Sequence, residues 1–162
     1  MSPAIEIREA VDGADIARAL FRRRFGGDPP DFPHHVLAVH RTAAGGEVPL
    51  CYVHFTALGE LLLGGGACVD NRAMRALPPA ARAAIHAGGG LYRMTLAWAV
   101  RHFAPRYAAV FGYCGDALAE RIDLAVGFER TAHQHLLVYW TRELPSGARD
   151  ALIAQAHAVG PF

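Results

Sequence analysis

Apolar and polar positions alternate over Ile5–Arg8, which predicts a short first strand. Asp12-Gly13-Ala14-Asp15 reads as a turn and N-cap. The period then lengthens. Ile16, Ala19, Leu20 and Phe25 fall near one face of a helix that runs to Phe25, and Gly26-Gly27-Asp28-Pro29-Pro30 stops it. Three strands follow, His35–Arg41, Val48–Ala57 and Leu61–Val69. A hairpin turn around Ala44-Gly45-Gly46 and a tight turn at Leu58-Gly59-Glu60 make them an antiparallel meander. In the middle strand Leu50, Tyr52, His54 and Thr56 share one face, while Cys51, Val53, Phe55 and Ala57 share the other.

After Asp70 the pattern turns helical. Arg72–Leu77 and Pro79–His86 are short helical pieces, and Gly88-Gly89-Gly90 precedes a strong helix over Leu91–Phe103. Its apolar positions Leu91, Met94, Leu96, Trp98, Ala99 and Phe103 cover most of the circumference, so burial is expected. Pro105 ends it. Tyr107–Cys114 is almost wholly apolar, the signature of a central, parallel strand. Ala117–Val126 is a helix closed by Gly127. The last strand is Leu136–Thr141, with a start as early as Arg130 allowed, and Ala148–Ala158 reads as a terminal helix. The order β-α, β-β-β, α-β, α-β is that of a mixed α/β sheet covered by helices.

Composition narrows the classes. The chain has 162 residues, enough for one domain with a sizeable core, and no linker divides residues 1–162. Sixteen basic and fifteen acidic side chains give a formal net charge of +1. Without a basic block, no nucleic-acid partner is expected. No apolar run approaches the ~18 residues of a membrane span, and no signal-peptide pattern opens the chain. No membrane association and a cytoplasmic location are therefore expected. Cys51, Cys68 and Cys114 lie far apart without a CxxC pair and read as reduced thiols. All sixteen basic residues are arginine, so the chain offers no lysine ε-amine.

After the apolar strand ending at Cys114 come Asp116, Ala119, Asp123 and Gly127-Phe128. This spacing, with the element order and the opening Ile5-Glu6-Ile7-Arg8-Glu9-Ala10 and Asp15, resembles the GNAT superfamily of N-acyltransferases over roughly residues 5–143. The resemblance implies a mostly antiparallel mixed sheet flanked by helices on both faces, with acetyl-CoA or another acyl-CoA as co-substrate. The acceptor would be a small-molecule or peptide amine. The sequence also departs from that family. Seventeen residues separate Asp70 from Gly88, and Ile85 stands where the cofactor loop carries Arg or Gln. Asp116 replaces an asparagine, and Asp123 a tyrosine often used as general acid.

The candidate residues follow from chemistry and resemblance together. Glycine before a helix offers unhindered amides and a positive dipole end, so Gly88, Gly89 and Gly90 are candidates for the pyrophosphate, with a helix-entry loop as the alternative. Gly64-Gly65-Gly66 lies inside a strand, where glycine marks a bulge or close ligand approach. The resemblance places the acyl-pantetheine arm there, with amides near Gly65, Gly66 and Cys68 holding the thioester oxygen, and adds Asp116 to the cofactor contacts. The alternative is a light strand packed under a bulky helix residue such as Trp98. His54 has the reference pKa of a base near neutrality and is the candidate to take the amine's proton. Asp123 either faces the leaving sulfur or is a surface carboxylate. His133 and His135 are read on one strand face, but no spacing matches a metal motif, so no metal is expected. An apolar patch at Leu136–Trp140 with Phe162 suggests a homodimer contact. The first expectation is thus a direct acyl transferase; the other is a non-catalytic GNAT-like module that binds a ligand or partner.

Overall fold

The computed structural model describes residues 5–162. The elements are β1 (Ile5–Glu9), α1 (Gly13–Phe25), β2 (His34–Arg41), β3 (Glu47–Leu58), β4 (Leu61–Val69), α2 (Asn71–Arg75), α3 (Pro79–Ala87), α4 (Leu91–Phe103), β5 (Ala109–Tyr113), α5 (Ala117–Val126), β6 (Glu129–Arg130), β7 (Leu136–Trp140) and α6 (Ser146–Val159). They form one seven-stranded sheet in the order β1-β2-β3-β4-β5-β7-β6. β1 runs antiparallel to β2 from Ile5↔His40 to Glu9↔Val36. β5 is parallel to β4 and antiparallel to β7. The mixed sheet expected from the element order is present, with the mostly antiparallel pairing that the resemblance implies. No described helix is long and apolar enough to cross a membrane.

The chain divides into two compact units whose boundary falls inside β3, β4 and α4. The first comprises the described residues up to 54 together with 66–95. Its core joins one face of α1, through Ala17, Leu20 and Phe21, to Leu37, Val39, Tyr52 and Cys68. Asp12 precedes α1 but its side chain makes no capping bond; Gly26 closes the helix in the left-handed conformation. Arg8, Glu6, Arg41 and Glu47 form an ion-pair cluster, every cation of which is arginine.

The second unit comprises Phe55–Gly65 and Leu96–Phe162. Here Leu61, Leu63, Ala109, Phe111, Leu136, Val138 and Ala156 form the core, with Leu152, Ile153, Trp140 and Phe162 packed against them. This overturns the exposed C-terminal patch. Leu136 and Val138 are buried in the same cluster as residues of α6 and Phe162, and Leu137 is buried as well. The homodimer expectation loses the surface on which it stood. The single strand reaching back to Arg130 is also corrected. Glu129 and Arg130 pair with Val138 and Leu137 as a separate strand. The Thr131 hydroxyl bonds the carbonyls of His133 and Leu136, and His135 has φ 68°, so the chain reverses. His133 and His135 therefore do not share a strand face; His133 instead stacks on His157, with ring centroids 3.6 Å apart.

Phe111 is fully buried and edge-on to Trp140. Phe111→Ala should cost about 3–5 kcal/mol in denaturant unfolding; a loss below 1 kcal/mol would contradict this core assignment.

Candidate functional site

His54 lies on β3 and is only 4% exposed. Its Nε2 accepts the backbone N–H of Gly66 on β4 at 2.9 Å. That bond fixes the tautomer: a neutral imidazole accepting at Nε2 carries its hydrogen on Nδ1. Nδ1 is buried and has no hydrogen-bond partner. Phe32 meets the ring edge-on at 4.7 Å between centroids, with Phe21 and Tyr52 at 5.7 and 5.6 Å. Burial in these surroundings, and secondarily the neighbouring His35, depresses the His54 pKa to about 4. His35 is likewise held below its ordinary value by burial, and its Nδ1 lies 2.7 Å from the Tyr52 hydroxyl.

Two expectations change here. His54 is neutral near pH 7, as a base must be, but its accepting nitrogen is already occupied and its basicity is lowered. The Gly66 amide is spent on that imidazole and is not a free donor. A Cβ on Gly64 would meet Phe55 and the Phe111 carbonyl, and one on Gly66 would meet His54 and Phe25. The β4–β5 ladder runs only from Leu61↔Ala109 to Gly64↔Gly112, while β4 continues through Gly65 to Val69.

Cys68 follows on β4, with its side chain in the core of the first unit. Its thiol is pushed up to about 11 by burial, although Arg24 and Arg23 pull the other way. Cys51 is pushed up to about 12 by burial. Neither is a thiolate near neutrality, so neither is primed to carry an acyl group.

The amides of the glycine triplet are also engaged. Gly88 donates to Ala84, Gly89 to His86 and Gly90 to Ile85. Gly89 and Gly90 have φ of +83° and +102°, and the triplet ends α3 in a left-handed turn before starting α4. The first turn of α4, which follows the triplet, spans Leu91–Arg93. Arg93 is exposed there, and its side chain is what a Cβ on Gly89 would strike.

Asp116 and Asp123 belong to the second unit. Asp116 caps α5: its Oδ1 accepts the amides of Leu118 at 2.7 Å and Ala119 at 3.0 Å. Asp123 is only 6% exposed, so it is not a surface carboxylate. The nearby Cys114 thiol donates to the Asp116 carbonyl at 3.3 Å, and burial, with Asp123 contributing, holds that thiol above its usual range. Among the described residues no group of three or more His, Cys, Asp or Glu is placed to hold a metal ion.

No protein-family model matches the sequence, and no curated protein matches it either. Solved structures do. The ribosomal-protein-S18-alanine N-acetyltransferase of Escherichia coli aligns with a TM-score of 0.58 at 10% identity, over 88% of this chain and 97% of that one. A putative GNAT-family acetyltransferase from Desulfovibrio desulfuricans aligns at 0.57 and 15%, over 86% and 100%. The putative N-acetyltransferase YhhK of Escherichia coli, solved with coenzyme A, aligns at 0.52 and 15%, over 84% and 98%. The chain carries the GNAT acetyltransferase fold, in a sequence divergent from these structures.

The buried imidazole makes a pH prediction. The unfolded His54 takes up a proton near pH 6.5 and the folded one near 4, so the unfolded chain binds more protons between those values. Stability should rise with pH across that window, by on the order of 3 kcal/mol from this residue, and level off above it. Urea unfolding at pH 4.5 and 7 should show a smaller difference in His54→Leu than in the parent; an unaltered difference would exclude the burial effect. For Asp116→Ala the cap alone predicts a loss of about 1 kcal/mol with coenzyme A affinity unchanged. A large loss of affinity in calorimetry would return Asp116 to the cofactor contacts.

Proposed function

We propose that the chain is an acyl-coenzyme A-dependent N-acyltransferase that moves an acetyl group directly from the thioester to an amine. The observation that carries this reading is the end of the β4–β5 ladder at Gly64↔Gly112, with β4 running on to Val69. A strand that outruns its neighbour keeps backbone groups for an extended ligand to pair with. The pantetheine arm is assigned to this stretch of β4. Successive strand amides alternate in direction, so with Gly66 turned to His54, the amides of Gly65 and Ala67 are the candidates for the thioester oxygen. The pyrophosphate is assigned to the N-terminal end of α4, where the helix dipole and the exposed Arg93 guanidinium favour an anion.

In the step itself the amine nitrogen attacks the thioester carbonyl, the carbon–sulfur bond breaks, the amine's proton passes to solvent, and the departing coenzyme thiolate takes a proton back from solvent to leave as its thiol. Direct transfer fits the raised thiols of Cys51 and Cys68, which disfavour a cysteine-bound acyl intermediate. In this reading His54 positions the Gly66 amide and takes no proton, and the buried Asp123 does not join the chemistry. The second reading, a GNAT-like module that binds a ligand or partner without turnover, is favoured by the occupied nitrogen of His54.

Acetyl-CoA should bind saturably in calorimetry, and an amine panel should release coenzyme thiol. Absence of binding would remove the assignment, and binding without turnover would favour the second reading. Gln can offer Oε1 to the Gly66 amide where Leu cannot. His54→Gln should therefore keep turnover within about tenfold, and His54→Leu should lose far more. A loss of ~10²–10⁴-fold in His54→Gln, with a rising pH limb in the parent, would restore the imidazole as general base.

A further inference from the structure

Over Gly66 the first unit presents a surface that the transfer step, as assigned, does not use. A Cβ on Gly66 would lie 3.3 Å from His54 Cε1 and 3.5 Å from the Phe25 ring, so an imidazole edge and a phenyl edge meet above this glycine. Phe25 is 47% exposed although it packs on Phe21 at 4.6 Å. Phe32 covers another side of His54. The Nδ1 bonded to that same Cε1 is the buried donor without a partner. Charge distinguishes the rim. Within the run Arg22-Arg23-Arg24, Arg22 pairs with Asp28 and Arg23 with Asp70. Arg24 has no carboxylate partner among the described residues, and its guanidinium lies over the Phe25 ring, 5.5 Å from the centroid.

An exposed aromatic face and a cation beside it without a carboxylate partner among the described residues make one composite surface, with the unused Nδ1–H of His54 buried beneath it. Its chemistry suits a molecule with an apolar body and an anionic end. We infer that this surface over Gly66 is the acceptor subsite, and that it takes an α-amino acid with an apolar side chain. The side chain lies against Phe25 and Phe32, the carboxylate meets Arg24, and the α-amine is directed toward β4. The word acceptor rests on the acyltransferase reading; the binding site does not.

The same features address how the amine becomes nucleophilic without a base. Only the neutral amine attacks. Apolar walls and a nearby cation both disfavour the ammonium form. The α-amine of a free amino acid starts below a lysine side chain, though by less than a chain terminus does, so less must be done to deprotonate it. The subsite thereby selects α-amines over ε-amines.

The test uses the whole chain and four probes: L-phenylalanine, L-phenylalaninamide, phenethylamine and Nα-acetyl-lysine. Each is titrated calorimetrically with and without coenzyme A, and then offered with acetyl-CoA. L-Phenylalanine should bind most tightly. Arg24→Gln should weaken it about tenfold while leaving L-phenylalaninamide unchanged, which isolates the carboxylate contact. Phe25→Ala should weaken both by about fivefold. Both replaced side chains are exposed, so a normal unfolding curve certifies the variants. Preference for Nα-acetyl-lysine, equal effects of Arg24→Gln on both phenylalanine ligands, or an effect of Arg24→Gln on coenzyme A instead would each overturn the assignment. A protein that binds acetyl-CoA but none of the four probes loses the subsite and keeps the acyltransferase reading. One that binds L-phenylalanine through Arg24 but not acetyl-CoA keeps the site and loses that reading.

Discussion

A single bond between a side chain and a backbone amide organises the first unit: His54 takes the N–H of Gly66 where aromatic rings crowd the imidazole. A buried strand amide must find an acceptor, and one that finds it in a side chain makes that side chain part of the strand's own wiring. The consequences run outward. The imidazole is held in one tautomer, its charged form is disfavoured, and its second nitrogen is left as an unspent donor. The glycine permits the approach, because a Cβ at that position would press on both His54 and Phe25.

Much of the fold was legible in periodicity. The meander, the long helix after the glycine triplet and the apolar parallel strand are where alternation and the 3.6-residue period place them. The edges were less so. Thr131 ends β6 by bonding carbonyls ahead of it, and no hydrophobic pattern records a hydroxyl's choice of partner. Leu136 and Val138 are apolar whether they face solvent or a helix, and α6 decides between them.

The candidate site was legible by residue type and not by role. Three glycines before a helix look the same whether their amides are open to an anion or already closing the preceding helix, and here the hydrogen bonds show the second use. Asp123 looked solvated beside Glu120 and Arg121, but its position on α5 turns it inward to Cys114. Asp116 did carry a local signal, since a carboxylate before a helical run is the pattern of an N-cap. Phe25 and Phe32 gave no comparable signal, because what matters about them is which strand residue they meet after the chain has folded.

The ion-pair cluster of β1, β2 and β3 draws every cation from arginine, as does the rest of the chain. A guanidinium keeps its proton at any physiological pH and is a poor nucleophile. A lysine-bearing surface exposed to an activated thioester is slowly derivatised, losing charge at each modified side chain. For a protein that holds such a donor, as proposed here, an all-arginine surface preserves its ion pairs against spontaneous acylation by its own co-substrate.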